Sequence, residues 1–520
     1  MKKLILFIFI YSFTFTLSHS QKVNVTLLTT VKDYYKDFRT NYLLHKSPDG
    51  KRVVYFSKSD NGMFAVIDGI EGKKYDNIDE KNIMFSPDSK RVAYIAKTGN
   101  QMVAVIDGIE GNKYEGIGAG SLIFSPNSKR VAYAVKSENQ WLTVIDGIEG
   151  KKYESVADGS LIFSPDSKVV AYFANSGNQW FTIIDGIEGK KIEGYGKNSL
   201  IFSPDSKFVA YTAYSERKWF AVINGSEGNK YEGIAGANLI YSADSKRVAY
   251  AAKSENQWFA VIDGIEGKKY DGIRNPGIIF SPDGKRVTYI ANSGSQVFNI
   301  IDGIEGKKYD EIVDLKFSLD GKRVAYTAKL GNQWVAVIDG IEGNKYDDLD
   351  YRSIRFSPDS KKVAYEASLN NQWFAVIDGI EGNKYNDIGN LIVSPVGKRE
   401  AYTAKLAYQW FAVIDGIDGK KYNQIGKPIF SPDGKRVVYL AQSGQMVYME
   451  GKNMYHFDQW FPIIDGIEMK EYSFDDIDFM KFENSNNLNF IGKRNNSFYL
   501  VEIAWPVVPN NLHSRVKKSK

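Results

Sequence analysis

Acidic residues recur at one place in this 520-residue chain, directly after a tyrosine. They are Asp76, Glu115, Glu154, Glu232, Asp271, Asp310 and Asp347. A glycosidase needs two carboxylates that face the same glycosidic bond. Because these acids instead return with each internal repeat, their position favours a role in a turn that every repeat shares. A catalytic pair drawn from them is the alternative.

Histidine and cysteine are scarce, which limits metal and nucleophile chemistry. The chain has 4 His and no Cys, and His45, His456 and His513 are far apart in sequence. The repeated Asp-Gly-Ile-Glu-Gly lacks the dense oxygen-ligand spacing of a calcium loop. Neither a Gly-x-Ser-x-Gly nucleophile motif nor a phosphate-binding glycine loop occurs. The sequence therefore predicts no metal site, no cofactor and no catalytic residue.

Eight tryptophans share one position in the repeat. They are Trp141, Trp180, Trp219, Trp258, Trp334, Trp373, Trp410 and Trp460. Each can bury about 150–250 Å², and apolar residues follow most of them directly. We expect most of them to be buried as wedges between neighbouring repeats. A ring of exposed aromatics that stacks sugars or peptides is the alternative.

One segment breaks the spacing that ten other copies of the repeat keep. It contains Met446, Tyr448, Met449, Met454, Tyr455, His456 and Phe457, and Trp460 follows it. Methionine adapts to varied surfaces, and tyrosine and phenylalanine are favoured at interface cores. We expect these eight residues to bind a partner. A longer hairpin that folds back on the repeats is the alternative.

Eleven copies of the repeat position these residues, between about residues 42 and 475. Most copies start 39 residues after the previous one, and a period in this range indicates a solenoid, a propeller or an array. One copy contains four short runs separated by turn residues, at 239–241, 247–252, 258–262 and 269–273. Four short strands with tight turns are typical of one propeller blade. The sequence thus predicts an all-β protein, a β-propeller of four-stranded blades.

The stretch Ser-Pro-Asp-Gly-Lys-Arg-Val at residues 281–287, with its variants in the other copies, resembles the WD40-like repeat of TolB-type β-propellers. The resemblance covers roughly residues 42–475. It implies the fold and leaves function open, because that repeat occurs in transport accessory proteins, peptidase gating domains and secreted proteins. The Gly-His and Trp-Asp marks of true WD repeats are absent.

A degenerate twelfth blade follows the eleven copies. Residues 478–482, 488–492 and 498–503 resemble its first three strands, and residues 35–38 resemble a fourth strand that could complete it. Twelve blades exceed the usual 4–8 of one ring. We therefore expect two rings, and one large ring is the alternative.

The termini predict export. Residues 1–20 have a positive start, an apolar core too short to span a membrane, and small residues before Gln21, as in a secretory signal peptide. Residues 21–505 then form the propeller, and 506–520 form a disordered basic tail. The near-balanced charge argues against nucleic acid as a partner. We expect a secreted or periplasmic protein without a transmembrane segment. Apart from its binding partner, we expect it to be a monomer.

Length variation between copies points to one face. The eleventh copy is longer between its second and third strands, around residues 444–458, and three copies are two residues shorter between the fourth strand and the next first strand. Both connections emerge at the same end of a blade, which we call the working face. Loops on rigid scaffolds carry function. The leading hypothesis is a non-enzymatic scaffold that binds a protein or glycan there. The alternatives are a hydrolase or lyase with a central-channel site, and a structural surface protein.

Overall fold

Residues 13–17, 21–30, 44–235, 239–450, 453–495 and 497–505 are described by a computed structural model. Their regular secondary structure is β-strand apart from one helical turn, the 3-10 helix Lys470–Tyr472. They form twelve sheets, each a blade of a β-propeller, which confirms the predicted fold class. The chain divides into two compact units: residues 37–382 hold nine blades, and residues 1–36 with 383–520 hold three.

Each blade, numbered 1 to 12 in chain order, has a long second strand and a long third strand. The second strands are Val53–Ser59, Val92–Thr98, Val131–Ser137, Val170–Ser176, Val209–Ser215, Val248–Ser254, Val287–Ser293, Val324–Leu330, Val363–Leu369, Glu400–Leu406, Val437–Glu450 and Asn487–Arg494. The third strands are Gly62–Ile67, Gln101–Ile106, Gln140–Ile145, Gln179–Ile184, Lys218–Ile223, Gln257–Ile262, Gln296–Ile301, Gln333–Ile338, Gln372–Ile377, Gln409–Ile414, Asn453–Ile464 and Ser497–Ala504.

The first strand of a blade is often interrupted, and the fourth is short. The first strands are His45–Lys46, Asn77–Ile78 with Met84–Phe85, Gly116–Ile117 with Ile123–Phe124, Ser155–Val156 with Ile162–Phe163, Gly194–Tyr195 with Ile201–Phe202, Gly233–Ile234 with Ile240–Tyr241, Gly272–Phe280, Glu311–Phe317, Asp348–Leu349 with Arg355–Phe356, Asp387–Val393, Gln424–Ile425 with Ile429–Phe430, and Asp476–Asn484. The fourth strands are Ile70–Glu71, Ile109–Tyr114, Ile148–Glu149, Ile187–Glu188, Ser226–Glu227, Ile265–Glu266, Ile304–Glu305, Ile341–Tyr346, Ile380–Glu381, Ile417–Asp418, Ile467–Glu468 and, in blade 12, Gln21–Thr30.

Two tight hairpins shape each blade, and blade 6 illustrates them. Its second and third strands are joined through Glu255 and Asn256, both with positive φ (54° and 63°). Its third and fourth strands are joined through Asp263 and Gly264, again with positive φ (53° and 81°). Positive φ at both central residues defines the type I′ turn, whose twist matches that of antiparallel strands.

The fourth strand lies earlier in the repeat than the sequence predicts. In blade 6 the predicted strand was residues 269–273, but Ile265 already pairs with Ile262, and Tyr270 bridges to Trp258. Gly272 and Ile273 begin the first strand of blade 7. The prediction was wrong because a type I′ turn needs only two residues, so Ile-Glu after Asp-Gly is strand and not turn.

Apolar residues are buried where neighbouring blades pack face to face. One such core contains Ala325 and Ala336 of blade 8 together with Val363, Phe374 and Val376 of blade 9. The consecutive apolar residues of the third strands fit this arrangement because both faces of the strand are covered.

The predicted division into two rings is not supported. Within residues 37–382, the third strand of each blade contacts the first strand of the next, from blade 1 through blade 9 without a break. A ring of the usual 4–8 blades would have ended inside this series.

The fourth strand of blade 12 comes from the start of the chain. Gln21–Thr30 pairs antiparallel with Ser497–Ala504, from Lys22 opposite Ala504 to Thr30 opposite Ser497. Phe13–Leu17 pairs in turn with residues 21–25 as a fifth strand. The segment 35–38, which the sequence suggested for this role, lies outside the described residues.

Candidate functional site

The hairpin between the second and third strands of blade 11 is much longer than its counterparts. In blade 6 the last pair before the turn is Ser254 opposite Gln257. The matching pair in blade 11 is Ser443 opposite Gln459, and after a bulge the ladder continues from Met446 to Glu450. Five further pairs at about 3.4 Å per residue extend the ribbon by roughly 17 Å.

The ribbon places the predicted binding residues along one two-stranded ladder. Met446 pairs with Phe457, Val447 with His456, Tyr448 with Tyr455, and Met449 with Met454. For residues 443–450 and 453–458 the structure describes the course of the backbone only. The predicted contacts of these seven site residues with a partner stay a prediction.

Trp460 lies at the base of the ribbon and belongs to the blade. It is half-buried and packs against the core that includes Phe474 and Phe490. Its backbone N–H donates to the carbonyl of Phe474 (2.8 Å) and its carbonyl accepts from the Phe474 N–H (2.9 Å). These contacts give Trp460 a structural role beside the one predicted for it.

Both edges of the ribbon lack a neighbouring strand in the described part of the chain. The only ladder that includes residues 446–450 is the one with 453–457. An unpaired strand edge presents free N–H and C=O groups and can accept a strand from another protein.

The acids that follow the strand-four tyrosines bind the turn between strands two and three. Asp271 Oδ2 accepts from the Gly294 N–H (2.6 Å), and Glu115 accepts from the N–H groups of Glu138 and Asn139 (2.8 and 3.3 Å). The same bond is made by Asp76, Glu154, Glu232, Asp310 and Asp347. Their hydrogen bonds support the turn role that the sequence favoured.

The eight tryptophans are half-buried, between the two predicted extremes. Several pack against the cores between blades, as Trp141 and Trp258 do. Trp334 and Trp410 are each covered by a lysine ammonium group 5.4 Å from the ring centroid, from Lys329 and Lys405. The wedge interpretation describes them better than an exposed ring does.

Some of the length differences between copies do not lie in the connection between the fourth strand and the next first strand, where the sequence placed them. In blade 3, five residues (118–122) separate Ile117 from Ile123; in blade 8 only three (313–315) separate the equivalent Ile312 and Lys316. The two-residue losses are therefore inside the first strand, not in the connection before it. Assigning the fourth strand too late produced this error. The long hairpin of blade 11 remains as the length change at the working face.

In blade 7, the Ser-Pro-Asp turn is hydrogen-bonded within its own blade and to the next one. Ser281 Oγ donates to Asp283 Oδ1 (2.6 Å) and accepts from the Arg286 N–H (2.9 Å). Arg286 Nε donates to Asp302 (2.8 Å), and its Nη1 reaches the carbonyl of Lys322 in the following blade (2.6 Å). These bonds give the repeated residues of that turn a structural role.

A second bond between blades was missed by sequence reasoning. In seven blades the tyrosine that ends or follows the fourth strand donates its hydroxyl to the glutamate or aspartate in the fourth strand of the next blade, and in several of them a lysine binds the same carboxylate. At Glu468 the donors are Tyr422 (2.8 Å) and Lys420 (2.7 Å), with Lys470 at 3.1 Å. Hydrogen bonds, first from Lys420, lower the pKa of Glu468 to about 2. We call this set the tyrosine clasp.

The first strand of blade 8 holds one half-buried acid. Asp314 pairs with Lys316 (2.7 Å), and the Lys316 ammonium also donates to the carbonyl of Ile354 (2.7 Å). Burial raises the pKa of Asp314, and its Oδ2 has no hydrogen-bond partner among the described residues. The charges of Arg355 and Asp350 also act on Asp314, with Asp350 raising its pKa and Arg355 lowering it.

No group of three or more potential ligands that could hold a metal ion occurs among the described residues. His45 is half-buried against Phe56, and burial lowers its pKa. His456 lies on the ribbon, and His513 lies outside the described residues. In the same described ranges, no helix is long and apolar enough to cross a membrane.

Comparison with known proteins adds little beyond the fold. No family model matches the sequence, and no curated protein matches it. Among solved structures, TolB from Acinetobacter baumannii is 17% identical over 50% of this chain and 77% of its own, with a TM-score of 0.22. The β-propeller domain of the Trilobed protease from Pyrococcus furiosus is 16% identical over 56% and 92%, with a TM-score of 0.24.

An enzyme is also among the similar structures. The GH74 enzyme of Niastella koreensis is 10% identical over 88% of this chain and 97% of its own, with a TM-score of 0.25. Similarities at this level carry no argument for function. The resemblance to TolB-type repeats thus holds at the level of the β-propeller fold.

Proposed function

We propose that this chain is a non-enzymatic binding scaffold whose blade 11 ribbon captures a protein partner. The observation that carries the proposal is the ladder that continues from Met446 to Glu450, beyond the point where the other hairpins of this kind turn. The fold does not need this extension, because the other blades close with two-residue turns.

A protein partner fits the ribbon better than a glycan. Two free strand edges can pair with an extended peptide through backbone hydrogen bonds. Because residues directly opposite in a ladder lie on the same face, Met446, Tyr448, Tyr455 and Phe457 share one face of the ribbon. Aromatic residues and methionine are enriched at the cores of protein interfaces.

The test replaces residues 443–458 with Ser-Glu-Asn, as at residues 254–256 of blade 6, and measures partner capture from the native envelope fraction. We expect the variant to keep its circular dichroism spectrum and its urea midpoint and to lose capture. The matched control exchanges Glu255-Asn256 of blade 6 for Asn-Gly, another type I′ turn, and should capture normally. Capture by the ribbon variant at the level of the control would refute the proposal.

We also propose that the protein is exported and that cleavage follows Ser20. Removal of residues 1–20 would delete the fifth strand Phe13–Leu17 and leave blade 12 with four strands, like the standard blade. N-terminal sequencing of the protein from its native source checks this. A mature chain that still begins at Met1 would contradict it.

A further inference from the structure

The junction between blades 4 and 5 departs from the repeat at several positions at once. Nine copies have a tyrosine at the end of the fourth strand or shortly after it, but blade 4 has Ile192 at that position. The usual arginine of the Ser-Pro-Asp turn is Val169 in blade 4 and Phe208 in blade 5, and the turn aspartate of blade 5 is Asn224. This junction therefore has neither the tyrosine hydroxyl of the clasp nor the arginine that reaches the next blade elsewhere.

A cavity of about 520 Å³ lies at this junction. Its walls include Thr182 and Ile192 of blade 4 and Val209, Tyr211, Val222 and Glu227 of blade 5. Pockets for small ligands generally measure about 300–1,000 Å³ and combine apolar walls with a few polar groups. The size and the lining of the cavity both fit this description.

Two polar side chains that line the cavity lack a hydrogen bond that the equivalent side chains of other blades make. Thr182 is 1% exposed, and its Oγ1 interacts with the Tyr211 hydroxyl but makes no hydrogen bond of full geometry among the described residues. The equivalent Thr143 of blade 3 donates to the Tyr172 hydroxyl (3.2 Å). The Glu227 carboxylate receives Lys190 Nζ at 3.1 Å, but Ile192 cannot supply the phenol donor.

The junction between blades 5 and 6 shows which side chain occupies the position of the cavity elsewhere in the repeat. Between blades 5 and 6, the Tyr231 hydroxyl donates to Glu266 (2.9 Å), and the Tyr231 ring meets Tyr250 edge to face, with centroids 6.4 Å apart. At the cavity, Glu227 and Tyr211 stand at the positions of Glu266 and Tyr250. Ile192 brings neither a ring nor a hydroxyl to them.

We propose that the cavity between blades 4 and 5 binds a phenol group from outside the chain. The ligand hydroxyl donates to Glu227, and its ring lies against Val209 and Val222 with an edge toward Tyr211. Thr182 Oγ1 is available to a second polar atom of the ligand. The phenol belongs either to a small aromatic molecule or to a tyrosine side chain of a peptide.

The test titrates the full-length protein with p-cresol and with N-acetyl-tyrosinamide, followed by calorimetry and ligand-observed NMR. We expect saturable binding at one site. Ile192→Tyr restores the residue of the other blades, so it should fold, raise the urea midpoint by completing the clasp, and weaken binding at least tenfold. Ile148→Tyr, at a position that is 75% exposed, is the control and should bind like the wild type.

Each result decides the question. Binding of p-cresol alone assigns the site to free phenols, and binding of the tyrosinamide assigns it to a tyrosine side chain. The proposal is overturned if neither probe binds saturably, if Ile192→Tyr binds as tightly as the wild type, or if Ile148→Tyr weakens binding equally. None of these outcomes depends on the ribbon of blade 11.

Discussion

Single residues hold neighbouring blades together, and the tyrosine clasp shows how charge contributes. The folded pKa of Glu468 is about 2, below the 4.5 of an unperturbed glutamate, because Lys420, Tyr422 and Lys470 bind its ionised form. A depressed folded pKa stabilises the fold at pH values above the unfolded pKa. This stabilisation is lost as the pH falls from about 5 toward 2.

We therefore expect Glu468→Gln to lower the free energy of unfolding at pH 7 by about 1 kcal/mol, after allowance for solvent screening. The difference from the wild type should shrink as the pH falls toward 2. Urea denaturation at a series of pH values measures it, with the exposed Glu471→Gln as control. A difference independent of pH would show that the carboxylate charge is not the cause.

Ser281→Ala tests the Ser-Pro-Asp turn at the same scale. The buried hydroxyl both donates and accepts, so its loss leaves the Arg286 N–H short of one bond. A cost of about 1–2 kcal/mol follows, measured as a lower urea midpoint. Lys285→Ala, in the same turn but exposed, should leave the midpoint unchanged. Equal midpoints for the two variants would contradict the role of the hydroxyl.

At the scale of elements, the sequence predicted the second and third strands well and the fourth poorly. The long apolar strands have their own pattern, as in 258–262, whereas the short fourth strand takes its place from the two-residue turn at Asp263 and Gly264. The greater length of the blade 11 hairpin could be predicted from the spacing of the repeated residues. A comparison of the copies also shows that Ile192 replaces the usual tyrosine, but the volume of the cavity there depends on the packing between blades.

Blade 12 offers a second test of an element. Deleting Gln21–Thr30 removes the fourth strand and exposes the edge of Ser497–Ala504, which pairs with it over most of its length. We expect those amides of 497–504 that donate to 21–30 to exchange with solvent at least tenfold faster, since their ladder partners are gone, while those that donate to Asn487–Arg494 keep theirs. Hydrogen exchange with mass spectrometry measures this. Unchanged protection would show that the pairing adds no stability; deletion of 506–520 is the control.

At the scale of the whole molecule, the described residues predict a spectrum dominated by β-structure. Their one helical segment is three residues long. We expect far-ultraviolet circular dichroism of the mature protein to give well under a fifth helix. A larger helical fraction would be incompatible with twelve four-stranded blades.

The bonds between and within blades span fixed numbers of residues: commonly 35 for tyrosine to glutamate, 16 for arginine to aspartate, and 40 for an aspartate N–H to the serine of the next turn. Unequal crossing-over between two copies of the gene segment removes or adds one whole repeat. The residues that meet at the new junction then have the same types at the same intervals. Recombination can thus change the number of blades in this gene without inventing a new interface, and alleles that differ in steps of one repeat are the expected form of its variation.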